Sequence, residues 1–172
     1  MKFYLPLFFL IMVKCGFCQI NNLSTTKIDS IAARIDSSKN YYSLIEDGTI
    51  EPIRKGIIKK IFIKKSGSFS NTYLSDRTTK ELYKVVNIQN LVNSTTIAYY
   101  FNNGRLILAK ITTRRNLPVD LVVSSGQFYF LRDSLIKRTG NDLLTKPALV
   151  LKNGKDFIKD WSYMQNMGAV HK

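Results

Sequence analysis

The sequence predicts an α+β domain in which a mainly antiparallel β-sheet, a meander of hairpins, carries an N-terminal and a C-terminal helix packed on one face. Apolar residues recur at helical spacing near both ends of the mature chain. Between these ends, segments rich in β-branched and aromatic residues alternate with short polar turns, and one turn contains an Asn-Gly pair. A run of strands between two helices is typical of this fold class.

Residues 1–18 are predicted to be a cleaved signal peptide, which leaves a single α+β domain over residues 19–172. The apolar run of residues 3–13 would be roughly 16 Å long as a helix, about half the thickness of a bilayer core, so no transmembrane anchor is expected after cleavage. Lipidation is disfavoured because Phe17 precedes Cys18, where the processing enzyme needs a small residue. Soluble export is favoured over lipidation, and lipidation over a retained anchor.

Compartment and charge narrow the choice of partner. Both cysteines lie within the predicted signal peptide, so the mature domain is expected to have no disulfide. An exported domain is expected to be periplasmic or extracellular. The chain has 26 Lys and Arg against 12 Asp and Glu, a formal net charge of +14. This charge favours an acidic protein, an anionic glycan or another anionic envelope component, and the compartment argues against nucleic acid. The alternative is that the charge only keeps the protein soluble.

The first helix is expected to begin at Ser24, Thr25 or Thr26 and to fade by residues 37–38. Its apolar stripe consists of Ile28, Ile31, Ala32 and Ile35. After a turn at Glu46-Asp47-Gly48, strands are expected at residues 56–65 and 81–88 and from residue 93, with a break at residues 66–68.

The clearest strand signal is a hairpin in which Asn102-Asn103-Gly104 joins residues 95–101 to residues 105–111. The pattern of Tyr100-Phe101 and Arg105-Leu106-Ile107 returns 29 residues later as Tyr129-Phe130 and Ser134-Leu135-Ile136. A second hairpin that turns at residues 132–134 is therefore expected, with breaks at residues 117–118 and 124–126 between the two.

An amphipathic helix is expected after Pro147, where Val150, Gly154, Phe157, Ile158 and Trp161 fall at helical spacing. Asn153-Gly154 either splits this helix or marks its true start. Phe101, Leu108 and Trp161 are predicted core residues.

The reactive groups argue against catalysis. His171, the sole histidine, stands next to the last residue, and the mature chain has no spacing typical of a zinc or calcium site. Ser134-Leu135-Ile136-Lys137 matches the S-x-x-K nucleophile motif of penicillin-recognising enzymes, but those enzymes place it on a helix, whereas here it falls in a predicted hairpin. We expect no enzymatic activity, no cofactor and no metal.

One basic and aromatic cluster remains as a candidate binding site. Lys60, Phe62 and Lys64 share one face of the predicted strand, where a ring between two ammonium groups suits an anionic glycan or an acidic loop. The alternative is an edge strand whose lysines block edge-to-edge pairing.

The leader that ends before Gln19, the cysteine-free mature chain and the hairpin phrase over residues 99–107 resemble uncharacterised small exported proteins of Bacteroidota-type bacteria. Some of those are similar to periplasmic inhibitor-like modules, which implies a sheet with flanking helices. The resemblance covers the leader and one hairpin and carries no functional residues across. A eukaryotic secreted origin stays open, because Asn22-Leu23-Ser24 and Asn93-Ser94-Thr95 have the form of glycosylation acceptors.

The sequence therefore favours a non-catalytic exported module, binding or inhibitor-like, that contacts an anionic macromolecule or an acidic partner protein. The alternatives are a small secreted hydrolase that uses carboxylate, Ser or Lys chemistry, and a structural cell-envelope protein. A deep pocket with convergent polar groups would favour an enzyme, and a flatter surface of one charge would favour the binding module.

Overall fold

The computed structural model describes residues 24–50, 67–115 and 121–168. Its elements are α1 (Thr25–Ser37), β1 (Tyr41–Ile50), β2 (Gly67–Asp76), β3 (Leu82–Asn90), β4 (Asn93–Asn102), β5 (Arg105–Arg115), β6 (Leu121–Leu131), β7 (Ser134–Gly140) and α2 (Pro147–Asn166). The strands pair in chain order, each antiparallel to the next. The predicted α+β class, the meander and the two terminal helices are confirmed.

Several predictions fall outside the described residues. These are the signal peptide, the strand over residues 56–65 with its candidate site Lys60, Phe62 and Lys64, and His171. Among the residues described, no helix is both long enough and apolar enough to cross a bilayer.

The two helices lie on opposite faces of the sheet, so the prediction of a single covered face is wrong. Neighbouring residues on a strand point to opposite faces. On β4, the Tyr99 ring lies 5.1 Å from the ring of Phe157 on α2, whereas the Tyr100 hydroxyl donates to Asp36 on α1. The physical reason is that β4 and β5 are apolar without alternation in their central parts, a pattern typical of strands buried on both faces.

The N-terminal helix α1 follows its predicted stripe. The Ser24 side chain caps it by accepting the backbone N–H of Lys27 at 3.3 Å. Ile28, Ala32 and Ile35 are buried. On the α1 face they form a cluster with Tyr100, Ile107, Leu108 and Tyr129.

The C-terminal helix α2 packs on a larger aromatic cluster. Trp161 stacks on Tyr73 at a centroid distance of 5.9 Å, and its indole N–H donates to the Lys80 carbonyl at 2.9 Å. Gly154 neither splits nor starts the helix: a Cβ there would lie 2.8 Å from Leu106 Cδ2, so glycine allows α2 to approach β5 closely. The predicted core residues Phe101, Leu108 and Trp161 are all buried.

The two predicted hairpins share one design. Asn103 and Gly104 have φ of 51° and 66°, and Arg132 and Asp133 have φ of 49° and 66°, so both are tight two-residue turns with positive φ at each position. In both, the ladder shifts by one residue at the same place, between Tyr100 and Phe101 and between Tyr129 and Phe130. The repeat thus preserves a β-bulge as well as a turn.

Three predicted breaks are instead parts of strands. Residues 46–48 lie inside β1, residues 124–126 lie inside β6, and Gly67-Ser68 begin β2. Gly48 pairs with Phe69, whose ring fills the space where a side chain at position 48 would stand. Glycine at position 48 leaves room for the Phe69 ring of the neighbouring strand. Local sequence does not distinguish a glycine of this kind from one in a turn.

The meander gives the sheet two unlike ends. The turn end carries the connections β2–β3 (residues 77–81), β4–β5 (103–104) and β6–β7 (132–133). The loop end carries the β3–β4 turn (91–92), the start of β6 and the connection from β7 to α2 (141–146). The last turns of α2 also reach the turn end, because Trp161 and Gln165 both donate to the Lys80 carbonyl.

Candidate functional site

An open cleft of about 610 Å³ lies between α1 and the sheet. Its lining consists of Asp29, Ala33, Asp36 and Ser37 from α1 and Lys110, Gln127 and Tyr129 from β5 and β6. All of these side chains except that of Ala33 bear groups that could bind a ligand, so their own hydrogen-bond and ion-pair partners decide what the cleft can do.

Asp36 is the centre of a polar network that joins α1 to the sheet. Its carboxylate lies 2.6 Å from Lys84 Nζ and 3.7 Å from Lys110 Nζ, and it accepts the Tyr100 hydroxyl at 3.0 Å. Both lysine nitrogens lie 4.9 Å from the centroid of the Tyr100 ring. Tyr100 is therefore held by a carboxylate at its hydroxyl and by ammonium groups beside its ring.

The charges of this network stabilise one another. Burial raises the pKa of Asp36, but the hydrogen bonds from Lys84 and Tyr100 and the charges of Lys84 and Lys110 outweigh it, so the pKa lies below its ordinary value. Burial first, and the hydrogen bond to Asp36 second, raise the pKa of Tyr100. At neutral pH the network therefore contains an ionised Asp36 and a protonated Tyr100.

Tyr129 forms the second contact across the cleft. Its hydroxyl lies 2.9 Å from Asp29 Oδ1 and 2.7 Å from Gln127 Oε1, and its single proton can serve only one of these acceptors at a time. Burial and the Asp29 carboxylate raise the pKa of Tyr129. Its hydroxyl is therefore a donor and not a nucleophile at neutral pH.

The polar groups of the cleft thus attach α1 to the sheet, because its carboxylates form hydrogen bonds and ion pairs with its tyrosine and lysine and with neighbouring residues of the sheet. Within the three described ranges, no three His, Cys, Asp or Glu residues lie close enough to hold a metal ion. The Ser134 and Lys137 pair lies on β7 and not on a helix, as the sequence predicted.

The turn end presents a different electrostatic arrangement. Four bases stand within or directly after its three turns, and none forms an ion pair with any residue that the structure describes: Arg77, Lys80, Arg105 and Arg132. We call this set the cationic turn end. The three arginines are exposed, and Lys80 is half-buried over the Tyr42 ring.

The acids at the turn end are already engaged within the fold. Asp76 accepts the backbone N–H groups of Thr78 and Thr79, both at 2.7 Å, and these bonds hold its pKa below the ordinary value. Glu81 accepts the Asn103 N–H at 2.9 Å, and Asp133 pairs with Lys155 at 2.7 Å. With Lys155 included, five bases stand against these three acids, so the turn end keeps an excess of positive charge.

The turn end was not predicted from the sequence. A local signal was present, since each of the three connections carries an arginine within or directly after its turn. The meander that makes these turns neighbours becomes evident only once all seven strands are placed.

Comparison of the chain with known proteins finds no matching family model, no matching curated protein and no matching solved structure.

Proposed function

We propose that the protein is an exported, non-catalytic binding module that contacts an acidic partner protein through the cationic turn end. The observation that carries this proposal is the set of four bases in neighbouring turns, beside acids that are engaged in local hydrogen bonds and an ion pair. Complementary charge of this kind steers a partner and raises the rate of association.

The turn end is ordered before any partner binds. Asp76 fixes the β2–β3 connection, and Glu81 ties that connection to the β4–β5 turn. Gln165 and Trp161 fasten α2 to the carbonyl of Lys80 at 2.7 and 2.9 Å. A preorganised surface loses little conformational entropy on binding, which favours affinity.

The residue types at this end favour a protein over a glycan. The last turns of α2 expose Tyr163 and Met167, with 64% and 66% of their surface accessible. Tyr, Met and Arg are enriched in protein–protein interfaces. An arginine fork also binds a carboxylate through two parallel hydrogen bonds, which suits Asp and Glu side chains.

The proposal is tested by charge reversal on a purified complex. The exported protein is used as bait in extract of its own envelope and medium, and the captured partner is purified and its binding measured by interferometry. Arg105→Glu with Arg132→Glu is expected to weaken binding at least about tenfold, mainly through slower association, and added salt should have the same effect.

The matched control reverses the same number of charges on α1, with Lys27→Glu and Arg34→Glu, and should change affinity less than about twofold. Unchanged affinity of the turn-end variant would contradict the proposal. Binding that glycosidase treatment of the partner abolishes would reassign the surface to an anionic glycan.

A further inference from the structure

We infer that the loop end of the sheet docks on the surface of an anionic lipid bilayer. Exposed aliphatic side chains gather there from three segments, namely Leu91, Val92, Leu121, Val122, Val123, Leu143, Leu144 and Leu149. Soluble monomers rarely group exposed apolar side chains in this way unless the group makes a contact.

The three segments are neighbours in space. Arg115 pairs in register with Asn93 on one side and with Leu121 on the other. The backbone N–H groups of Asn141 and Asp142 both donate to the Ser125 carbonyl, at 2.8 and 3.0 Å. The aliphatic side chains therefore belong to one end of one sheet.

Leu143 and Leu144 are the most exposed of these side chains, at 82% and 93%. Their loop is nevertheless fixed. Asp142 is buried, and its Oδ1 accepts the backbone N–H groups of Leu144 and Thr145 at 3.2 and 3.3 Å. Asn141 Oδ1 accepts the Ser125 N–H at 2.8 Å. The fold thus holds two leucines out in solvent as an exposed tip.

The exposed charge at the loop end is positive. Arg115 and Lys146 are exposed and form no ion pair with a described residue. Within residues 90–93, 121–125 and 141–149 the only acid is the buried Asp142. Basic side chains around exposed aliphatic ones match the headgroup and acyl regions of an anionic bilayer.

A bilayer fits this surface better than a second protein does. Leu143 and Leu144 stand almost fully in solvent beside the exposed base Lys146, which lets the aliphatic side chains enter the acyl boundary while the base contacts headgroup phosphate. A bilayer interface also deforms around protruding side chains, whereas a protein must supply a preformed site for them. The inference does not rest on the proposed function, because the turn end lies at the other end of the strands, about 30 Å away at roughly 3.3 Å per residue.

The test uses the exported protein with vesicles of phosphatidylcholine and phosphatidylglycerol at a ratio of about seven to three, and with vesicles of phosphatidylcholine alone. Wild type is expected to sediment with the anionic vesicles only. Leu143→Ser with Leu144→Ser should lower the partition coefficient at least about tenfold while the melting curve stays unchanged, because both side chains are already exposed.

The matched control is Leu135→Ser with Ile136→Ser, a pair 41% and 43% exposed on β7, whose partition coefficient should stay within about twofold of wild type. A Leu144→Trp variant should show a blue shift of fluorescence on anionic vesicles, against the constant signal of the buried Trp161.

Three results would overturn the inference. They are absence of binding to anionic vesicles, wild-type binding by the double serine variant, and vesicle binding without a blue shift in Leu144→Trp. Loss of vesicle binding in Arg105→Glu with Arg132→Glu, together with its retention in the double serine variant, would move the lipid contact to the turn end.

Discussion

The two faces of the sheet differ in the balance between ring packing and polar contacts. On the α2 face, Trp161, Phe157, Tyr73 and Tyr99 form a cluster of ring contacts with centroid distances of 5.1 to 6.0 Å. On the α1 face, a smaller buried cluster is accompanied by hydrogen bonds and ion pairs centred on Asp36. Buried area is non-directional and additive, whereas a polar network depends on the protonation of each member.

The difference should also appear in cooperativity. Helix α1 has 13 residues against 20 in α2, and a helix that short is marginal without tertiary contacts. We expect α1 to open locally at a lower free energy than the rest of the fold, whereas α2 should unfold only with the sheet. Each face thus holds one of the fold's own helices, and we propose that binding takes place at the ends of the sheet.

The largest effect should come from removing the centre of the α2 face. Trp161→Ala deletes a buried ring and leaves the Lys80 carbonyl without its indole donor, so the free energy of unfolding should fall by about 3–5 kcal/mol. Urea titration measures it. The control Tyr163→Ala, on an exposed position of the same helix, should cost less than about 0.5 kcal/mol. Equal midpoints for the two variants would show that the aromatic cluster is not the main core.

A smaller effect should follow from a substitution in the β4–β5 turn, because β4 and β5 carry core residues of both faces. Gly104 has φ of +66°, which a β-branched side chain resists, so Gly104→Val should destabilise the β4–β5 hairpin by about 1–2 kcal/mol. Asn103→Gly, at the neighbouring positive φ, is the matched control and should be near neutral. If Gly104→Val unfolds at the wild-type urea midpoint, the turn does not have the assigned geometry.

The smallest effect should come from the α1 face and should depend on pH. Asp36→Asn removes the negative charge that contacts Lys84 and Tyr100. The free energy of unfolding should fall by about 1 kcal/mol at pH 7, because Asp36 is partly exposed and solvent screens its charge. The pKa of Asp36 is lower in the folded state than in the unfolded state. Its contribution to stability is therefore fully present above the unfolded-state pKa near 4, and it is lost as pH falls through the folded-state pKa.

Stability curves of wild type and Asp36→Asn should therefore converge in acid. Lys110→Ala, which removes the more distant lysine at 3.7 Å, should cost less than about 0.5 kcal/mol. A difference between wild type and Asp36→Asn that stays constant from pH 7 to pH 2 would exclude an ionic role for Asp36.

Much of the fold is predictable from local sequence. Ser24 as a cap and the spacing of Ile28, Ala32 and Ile35 define α1, and Asn103-Gly104 defines the central hairpin. Strand β1 was missed because Glu46-Asp47-Gly48 has the composition of a turn. Its extended conformation depends on pairing with β2, which is a tertiary interaction and not a local preference.

The sites are less predictable than the fold. Asp36 and Tyr100 are 64 residues apart in sequence and meet only because α1 lies on the face opposite α2. The cationic turn end requires the order of all seven strands. The predicted cluster of Lys60, Phe62 and Lys64 stays a prediction, and so does export through cleavage after Cys18.

The central claim is that the ends of the sheet bind, while its faces hold the helices. Hydrogen–deuterium exchange of the purified protein on anionic vesicles tests this claim most directly for the loop end. The account predicts protection at residues 91–93, 121–125 and 141–146, with no change at residues 77–81, 103–105 and 132–133 or along α1. Protection confined to α1 and its cleft, with the loop end exchanging as in free protein, would contradict it.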